Sequence, residues 1–192
     1  LEWIYPRLMD MHRFFYRERN PGDNGLVCIV HPWESGMDNS PSWDPTMENV
    51  DFDAIEIPSY QRKDTGHVDS AMRPTDRYYD FFVYLMELFK RHRYDQKAIL
   101  EECPFQVCDP LFNSILCASN EALARLADIQ GDRDGKRDAE EWRKQTSAAI
   151  SERLFNGERR LFDAYDLVGR RHLGIDTVSG FMPLFGGEVE KE

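Results

Sequence analysis

Between Asp109-Pro110 and Gly131, apolar residues return every three or four positions: Leu111, Ile115, Ala118, Ala122, Leu126 and Ile129. A helical period sustained over a stretch this long commits the segment to an α-helix. Its ends carry matching signals. Asp109 suits the N-cap, Pro110 the first helical position and Gly131 the stop. The same period predicts a helix over residues 2–19, with Trp3, Ile4, Leu8, Met11, Phe14 and Phe15 on one face, ended by Asn20-Pro21-Gly22-Asp23-Asn24-Gly25. It predicts another from Thr75, as cap, to Arg91, with Tyr78, Phe81, Phe82, Leu85, Leu88 and Phe89 inward, a short one over Gln96–Glu102, and a fourth long one from Asp134 to Leu154 with Trp142, Ala149 and Ile150 inward. Residues 26–30 are too short for a helix and read as a strand or extended entry. Residues 46–74 read as loop with short helical pieces, residues 156–165 as a small hairpin, and Gly180–Gly187 as a Gly-rich apolar loop. The expected fold is mainly α, with helices paired antiparallel across short connections.

The chain has 192 residues and a net charge of −11. In the first 60 residues eleven acids face four bases, a local balance of 4 − 11 = −7. Such a surface excludes a nucleic-acid footprint and an anionic membrane face, and leaves a neutral or sparsely charged small molecule as the expected partner. No apolar run reaches the length of a membrane span and no signal peptide opens the chain, so the expected location is the cytoplasm. Leu1 is expected to lie inside a helix, with the true N-terminus elsewhere. Cys28, Cys103, Cys108 and Cys117 are expected to be buried reduced thiols. The C-x4-C spacing of Cys103 and Cys108 does not make a zinc site, so no metal is expected.

The segment from His31 to Asp44, His-Pro-Trp-Glu-Ser-Gly-Met-Asp-Asn-Ser-Pro-Ser-Trp-Asp, is poor core and poor helix. Ser40-Pro41 resembles a helix start, and Gly36 supplies a bend, which places Asp38 on a loop just before a helix. A carboxyl there, flanked by Trp33 and Trp43 and pressed by the charge of Glu34, would hold its proton near neutral pH and suit a general acid. The alternative is that these acids cap helices or pair with arginine while the tryptophans fill the core.

The string His31–Asp44 resembles the signature of the inverting glycoside hydrolase clan built on (α/α)6 toroids, within it the bacterial mannosylglycerate and glucosylglycerate hydrolases of glycoside hydrolase family 63. Arg73-Pro74-Thr75-Asp76, Asp109-Pro110-Leu111-Phe112-Asn113 and Gly180-Phe181-Met182-Pro183-Leu184-Phe185 extend the resemblance over nearly the whole chain. Trehalases share a related string but follow it with Phe-Ser-Ser-Arg, where this chain has Asn39-Ser40-Pro41. The resemblance implies Asp38 as the general acid and Trp33 at the sugar subsite. It implies Glu34 and Asn39 bonded to sugar hydroxyls or orienting Asp38, Trp43 among the substrate-binding residues, and Arg73 on the carboxylate of a glycerate aglycone. No cofactor is implied.

The same resemblance implies that residues 1–192 are one segment of an (α/α)6 catalytic domain, incomplete at both ends, with the general base in the remainder of the same polypeptide. The expected reaction is inverting hydrolysis of an α-glycosidic bond in a small sugar acid, by a protein that can also form homo-oligomers. The segment alone is expected to be inactive and to expose apolar surface. The rival readings are an α-glucosidase acting on oligosaccharides and a non-catalytic helical carbohydrate-binding module.

Overall fold

The computed structural model describes residues 2–186. Leu1 and Gly187, on which two of the expectations fall, lie outside the described residues. The fold is mainly helical: α1 (Tyr5–Glu18), α2 (Asp76–Arg91), α3 (Gln96–Glu102), α4 (Pro110–Gln130), α5 (Arg133–Ala149) and α6 (Met182–Gly186). Helix α1 begins three residues later than its apolar pattern suggests, because Pro6 takes a first-turn position, where its missing N–H costs nothing. Thr75 stands at the N-cap of α2, but its hydroxyl makes no capping bond. At α4 the expected punctuation holds. The Asp109 carboxylate accepts the Phe112 N–H at 3.0 Å, and Gly131 stops the helix at φ 72°. Asp132 then caps α5 through the Gly135 N–H at 2.9 Å, so two residues turn the chain back on itself.

Where the structure departs from the apolar pattern is in which face turns inward. On α4 the buried positions are Pro110, Asn113, Ser114, Leu116, Cys117, Asn120, Leu123, Ala124 and Ala127. Ile115 and Ile129, from the expected stripe, are 48% and 67% exposed. On α1 the inward residues are Tyr5, Met9 and His12, while Met11, and Trp3 just before the helix, are exposed. Both helices carry two apolar stripes, and α4 and α5 settle the choice by packing their small residues together. Helix α1 comes close to α5 as well: a Cβ on Gly135 would sit 2.4 Å from the Tyr5 hydroxyl. Polar bonds then seat α1 on the pair. The Thr146 hydroxyl donates to Gly25 O and so accepts from Tyr16, which accepts from Asn120 Nδ2. Asn120 Oδ1 thereby receives the His12 Nδ1–H at 2.7 Å.

A second core lies between α2 and the extended residues 26–30, with Phe105, Val107, Ile150 and Leu154. Residues 26–30 contribute one bridge, Ile29 to Val107, rather than a full strand. Beside it β1 (Val107–Cys108), β4 (Tyr165–Asp166) and β5 (Arg171–His172) form a small antiparallel sheet in the order β1-β4-β5. The expected hairpin pairs β2 (Phe155–Asn156) with β3 (Leu161–Phe162). The stretch from Val178 is helical, a 3-10 turn running into α6, rather than a loop. All four cysteines are buried.

Candidate active site

The segment from His31 to Asn49 packs against Tyr78 and Phe82 of α2 as two 3-10 helices, Pro32–Ser35 and Pro41–Asn49. Prolines at their first turns and side-chain caps from His31 and Ser40 favour such short, tight helices. Gly36 ends the first at φ 71° with open space around it, a backbone conformation that glycine adopts without cost. Ser40 caps the second, its hydroxyl accepting the Ser42 N–H at 3.2 Å.

Between the two helices, Met37 to Ser40 form a β-turn closed by Ser40 N–H to Met37 O at 2.9 Å. Asp38 and Asn39 are its central residues and both are exposed. The turn is braced on either side. Met37 N–H donates to the Ser35 hydroxyl at 2.9 Å, Trp43 Nε1–H donates to Met37 O at 2.9 Å, and the Tyr78 hydroxyl donates to Ser40 O at 3.1 Å. Among the described residues none hydrogen-bonds or ion-pairs the Asp38 carboxylate. The carboxyl is thus held at a rigid tip by backbone bonds of its neighbours, with its own oxygens free.

Two expectations for this loop are corrected. Trp43 does not face a ligand. It is 0% exposed and packs edge-on against Phe105 at 5.8 Å, because its N–H is needed at Met37 O. Glu34 does not press charge on Asp38. Its two oxygens are gripped by the Arg19 guanidinium at 3.0 and 3.1 Å, and Oε2 also takes the Val30 N–H at 2.7 Å. With Trp43 turned inward and Glu34 neutralised, the chain's own atoms do not enclose Asp38. Trp33, in contrast, is 51% exposed, its ring 5.6 Å from Phe82 and 4.5 Å from His31. Its indole is thus packed against two rings and still half open to solvent.

His31 is not a proton carrier. Its Nδ1 accepts the Trp33 N–H at 3.0 Å, so Nε2 bears the hydrogen and lies 3.2 Å from Phe82 O. Burial lowers its pKa to about 4 and keeps it neutral. Asp44 lies nearby, and burial raises its carboxyl above the ordinary range, with Tyr78 opposing the shift.

Arg73 stands in a separate cluster. Its Nε donates to Asp64 Oδ2 at 2.9 Å, and Arg62 binds both oxygens of the same carboxylate at 2.8 and 3.1 Å while stacking over the Tyr79 ring at 4.0 Å. The two guanidiniums hold the Asp64 carboxyl well below the usual range, and Asp64 with Tyr79 raises Arg73. Asp64 uses one of the five N–H donors of Arg73 and leaves others for an anion. Arg19, Arg62, Asp64 and Tyr79 were not singled out by their sequence positions. For Glu34 the structure bears out the alternative that the acids of this segment pair with arginine.

A groove of about 520 Å³ between α1 and α5 is lined by Arg13, Arg17 and Arg137 against Asp23, Asp138 and Glu141, with Tyr16 and Trp142; none of residues 31–44 reaches it. No group of three or more His, Cys, Asp or Glu among the described residues is placed to hold a metal ion. No helix among them is long and apolar enough to cross a membrane.

The family model of the mannosylglycerate hydrolase MGH1-like glycoside hydrolase domain matches residues 1–192. The chain belongs to this glycoside hydrolase family. It is 43% identical over 185 residues to a mannosylglycerate hydrolase of Rubrobacter radiotolerans, covering 96% of this chain and 41% of that protein. It is 32% identical to a glucosylglycerate hydrolase of Mycolicibacterium hassiacum, over 94% of this chain and 40% of that protein. A crystal structure of the family 63 mannosylglycerate hydrolase from Thermus thermophilus in complex with Tris superimposes with a TM-score of 0.92 at 37% identity, over 98% of this chain and 44% of that one. The same enzyme in complex with Tris and D-glycerate gives 0.91. The family member described here therefore spans about two fifths of the length of its curated relatives. The mainly helical architecture agrees with the expected portion of a larger helical toroid.

Proposed function

We propose that the polypeptide carrying this chain hydrolyses the α-glycosidic bond of mannosylglycerate or glucosylglycerate with inversion, and that Asp38 is its general acid. The observation that carries the reading is the braced turn. Asp38 sits at its tip, its carboxylate bonded to none of the described residues, five residues past the exposed Trp33. Relatives named for these two substrates support the sugar-acid class.

In this reading Trp33 packs against the sugar ring and Asn39 bonds a hydroxyl or orients Asp38. Asp38 gives its proton to the glycerate oxygen as the bond to the anomeric carbon breaks. Water, activated by a carboxylate about 6.5–9.5 Å away, adds to the oxocarbenium-like centre from the opposite face. That base, and the walls that dry Asp38, lie in the remainder of the polypeptide, so the chain is one segment of a longer catalytic domain. Arg73 presents its remaining donors to the glycerate carboxylate, a pairing guanidinium geometry favours. Small-molecule sugar recognition in the cytoplasm, without nucleic acid or membrane and with room for self-association, fits the acidic surface.

Asp38→Asn in the complete polypeptide tests this. The rate on mannosylglycerate and glucosylglycerate should fall by about 10²–10⁴-fold with substrate binding retained. Turnover at the parental rate would remove Asp38 from its role, and faster parental hydrolysis of maltotriose than of either sugar acid would move the enzyme to oligosaccharides. The isolated 192-residue chain should show no hydrolysis of glucosylglycerate by product chromatography.

A further inference from the structure

We infer that Arg19 is a positioning residue for the candidate acid, acting through Glu34; the inference rests on Asp38 having the role proposed above. Arg19 follows α1 directly, and its side chain is 8% exposed. A guanidinium taken that far from water needs its donors occupied. Two of them bind the two oxygens of Glu34 side by side, and Nε donates to Gln96 Oε1 at 2.7 Å. Its backbone carbonyl accepts the Cys28 N–H at 2.8 Å. One residue thus ties the end of α1, the extended residues 26–30 and the start of α3 to the turn that carries Trp33.

From Glu34 the constraint passes through bonded atoms to Asp38. Ser35, the next residue, donates its hydroxyl to Pro32 O at 2.6 Å and accepts the Met37 N–H, and Met37 O in turn receives both the Ser40 N–H and Trp43 Nε1–H. Each element of the brace is short and begins at the turn Glu34 anchors. If Arg19 lets go, Glu34 keeps one donor, the Val30 N–H, and the pitch of Pro32–Ser35 is no longer set from both sides. Trp33, inside that turn, and Asp38, three residues beyond it, then lose the constraint that Arg19 sets, while the α4/α5 pair, whose caps Arg19 does not touch, is unaffected.

The test uses the complete polypeptide with Arg19→Met, Arg19→Lys, Glu34→Gln and the Arg19→Met/Glu34→Gln pair. Amide hydrogen exchange at Met37 and Ser40 should speed up about tenfold in Arg19→Met, with the Gly135 amide unchanged. The kcat on mannosylglycerate, counted per folded enzyme, should drop about tenfold with KM nearly constant, because a displaced acid harms the chemical step more than binding. Arg19→Lys should recover part of both, since an ammonium keeps the charge but not the paired geometry. The double variant should be no worse than Arg19→Met alone. Unchanged exchange at Met37 and Ser40 would overturn the inference, as would faster exchange with kcat within about twofold of the parent. A parental polypeptide inert toward both sugar acids would instead sink the hydrolase reading, while the exchange arm would still decide whether Arg19 holds the turn.

Discussion

The α4/α5 hairpin and the segment from His31 to Asn49 are held by bonds of very different reach. In the hairpin, Asp109 bonds Phe112, Gly131 N–H reaches Asp128 O and Asp132 bonds Gly135, so each end has a cap within three positions, to which the Ser179 hydroxyl on Asp109 and the Tyr5 hydroxyl on Asp132 add one distant bond each. In the segment, Glu34 is tied to Arg19, His31 to Phe82 O, Ser40 O to Tyr78 and Asn49 to Asp166, partners 15, 51, 38 and 117 positions away. Locally coded ends make the hairpin a scaffold whose shape survives changes elsewhere. A loop fixed from four directions acquires its geometry only once α1, α2 and the small sheet are in place. The candidate acid belongs to the second kind of structure, as functional residues carried on loops over a rigid scaffold commonly do.

The sharpest way to break this contrast is at the hairpin's two faces. Leu123→Ala removes a fully packed side chain and should cost about 2–5 kcal/mol in urea unfolding, whereas Ile129→Ala on the outer stripe should stay within about 0.5 kcal/mol. Equal costs at both would mean that the outer stripe is as covered as the inner one.

Acid should loosen the loop segment before the hairpin's caps fail. His31 has its pKa lowered to about 4 in the fold and about 6.5 when unfolded, so the unfolded chain binds the proton first as pH falls. Stability present above pH 6.5 is therefore lost as pH falls toward 4, by about 3 kcal/mol in all. His12, also lowered by burial, adds to the loss, while Asp109, raised by burial, works in the opposite sense. Unfolding free energies from pH 7.5 to 4, repeated with His31→Gln, check this. A slope unaltered in the variant would show that His31 is not the group responsible.

A smaller effect than at Leu123 is expected at Trp43→Phe, which keeps a ring in the core, deletes one bond to Met37 O and leaves a small void, for about 1–2 kcal/mol. Its signature should be local: faster amide exchange at Ser40 with no change at Phe112 or Gly135. Uniform loss across both regions would contradict the separation drawn between them.

Helix limits were legible in the sequence wherever their chemistry lies within one turn. Asp109-Pro110 and Gly131 bound α4 where their residue types say they should, and the inward face of α2 from Tyr78 to Phe89 follows its apolar period. The bend at Gly36 and the cap at Ser40 were legible for the same reason. Which of two apolar stripes on α1 and α4 turns inward was not. A period is a property of one helix, and burial is a property of the pair that packs. Nor could local pattern show that Trp43 would fill the core while Trp33 stayed open, or that Glu34 would be claimed by Arg19. Those outcomes depend on which distant donors and rings arrive beside the loop, and only the folded chain brings Arg19, Phe82, Phe105 and Tyr78 to it.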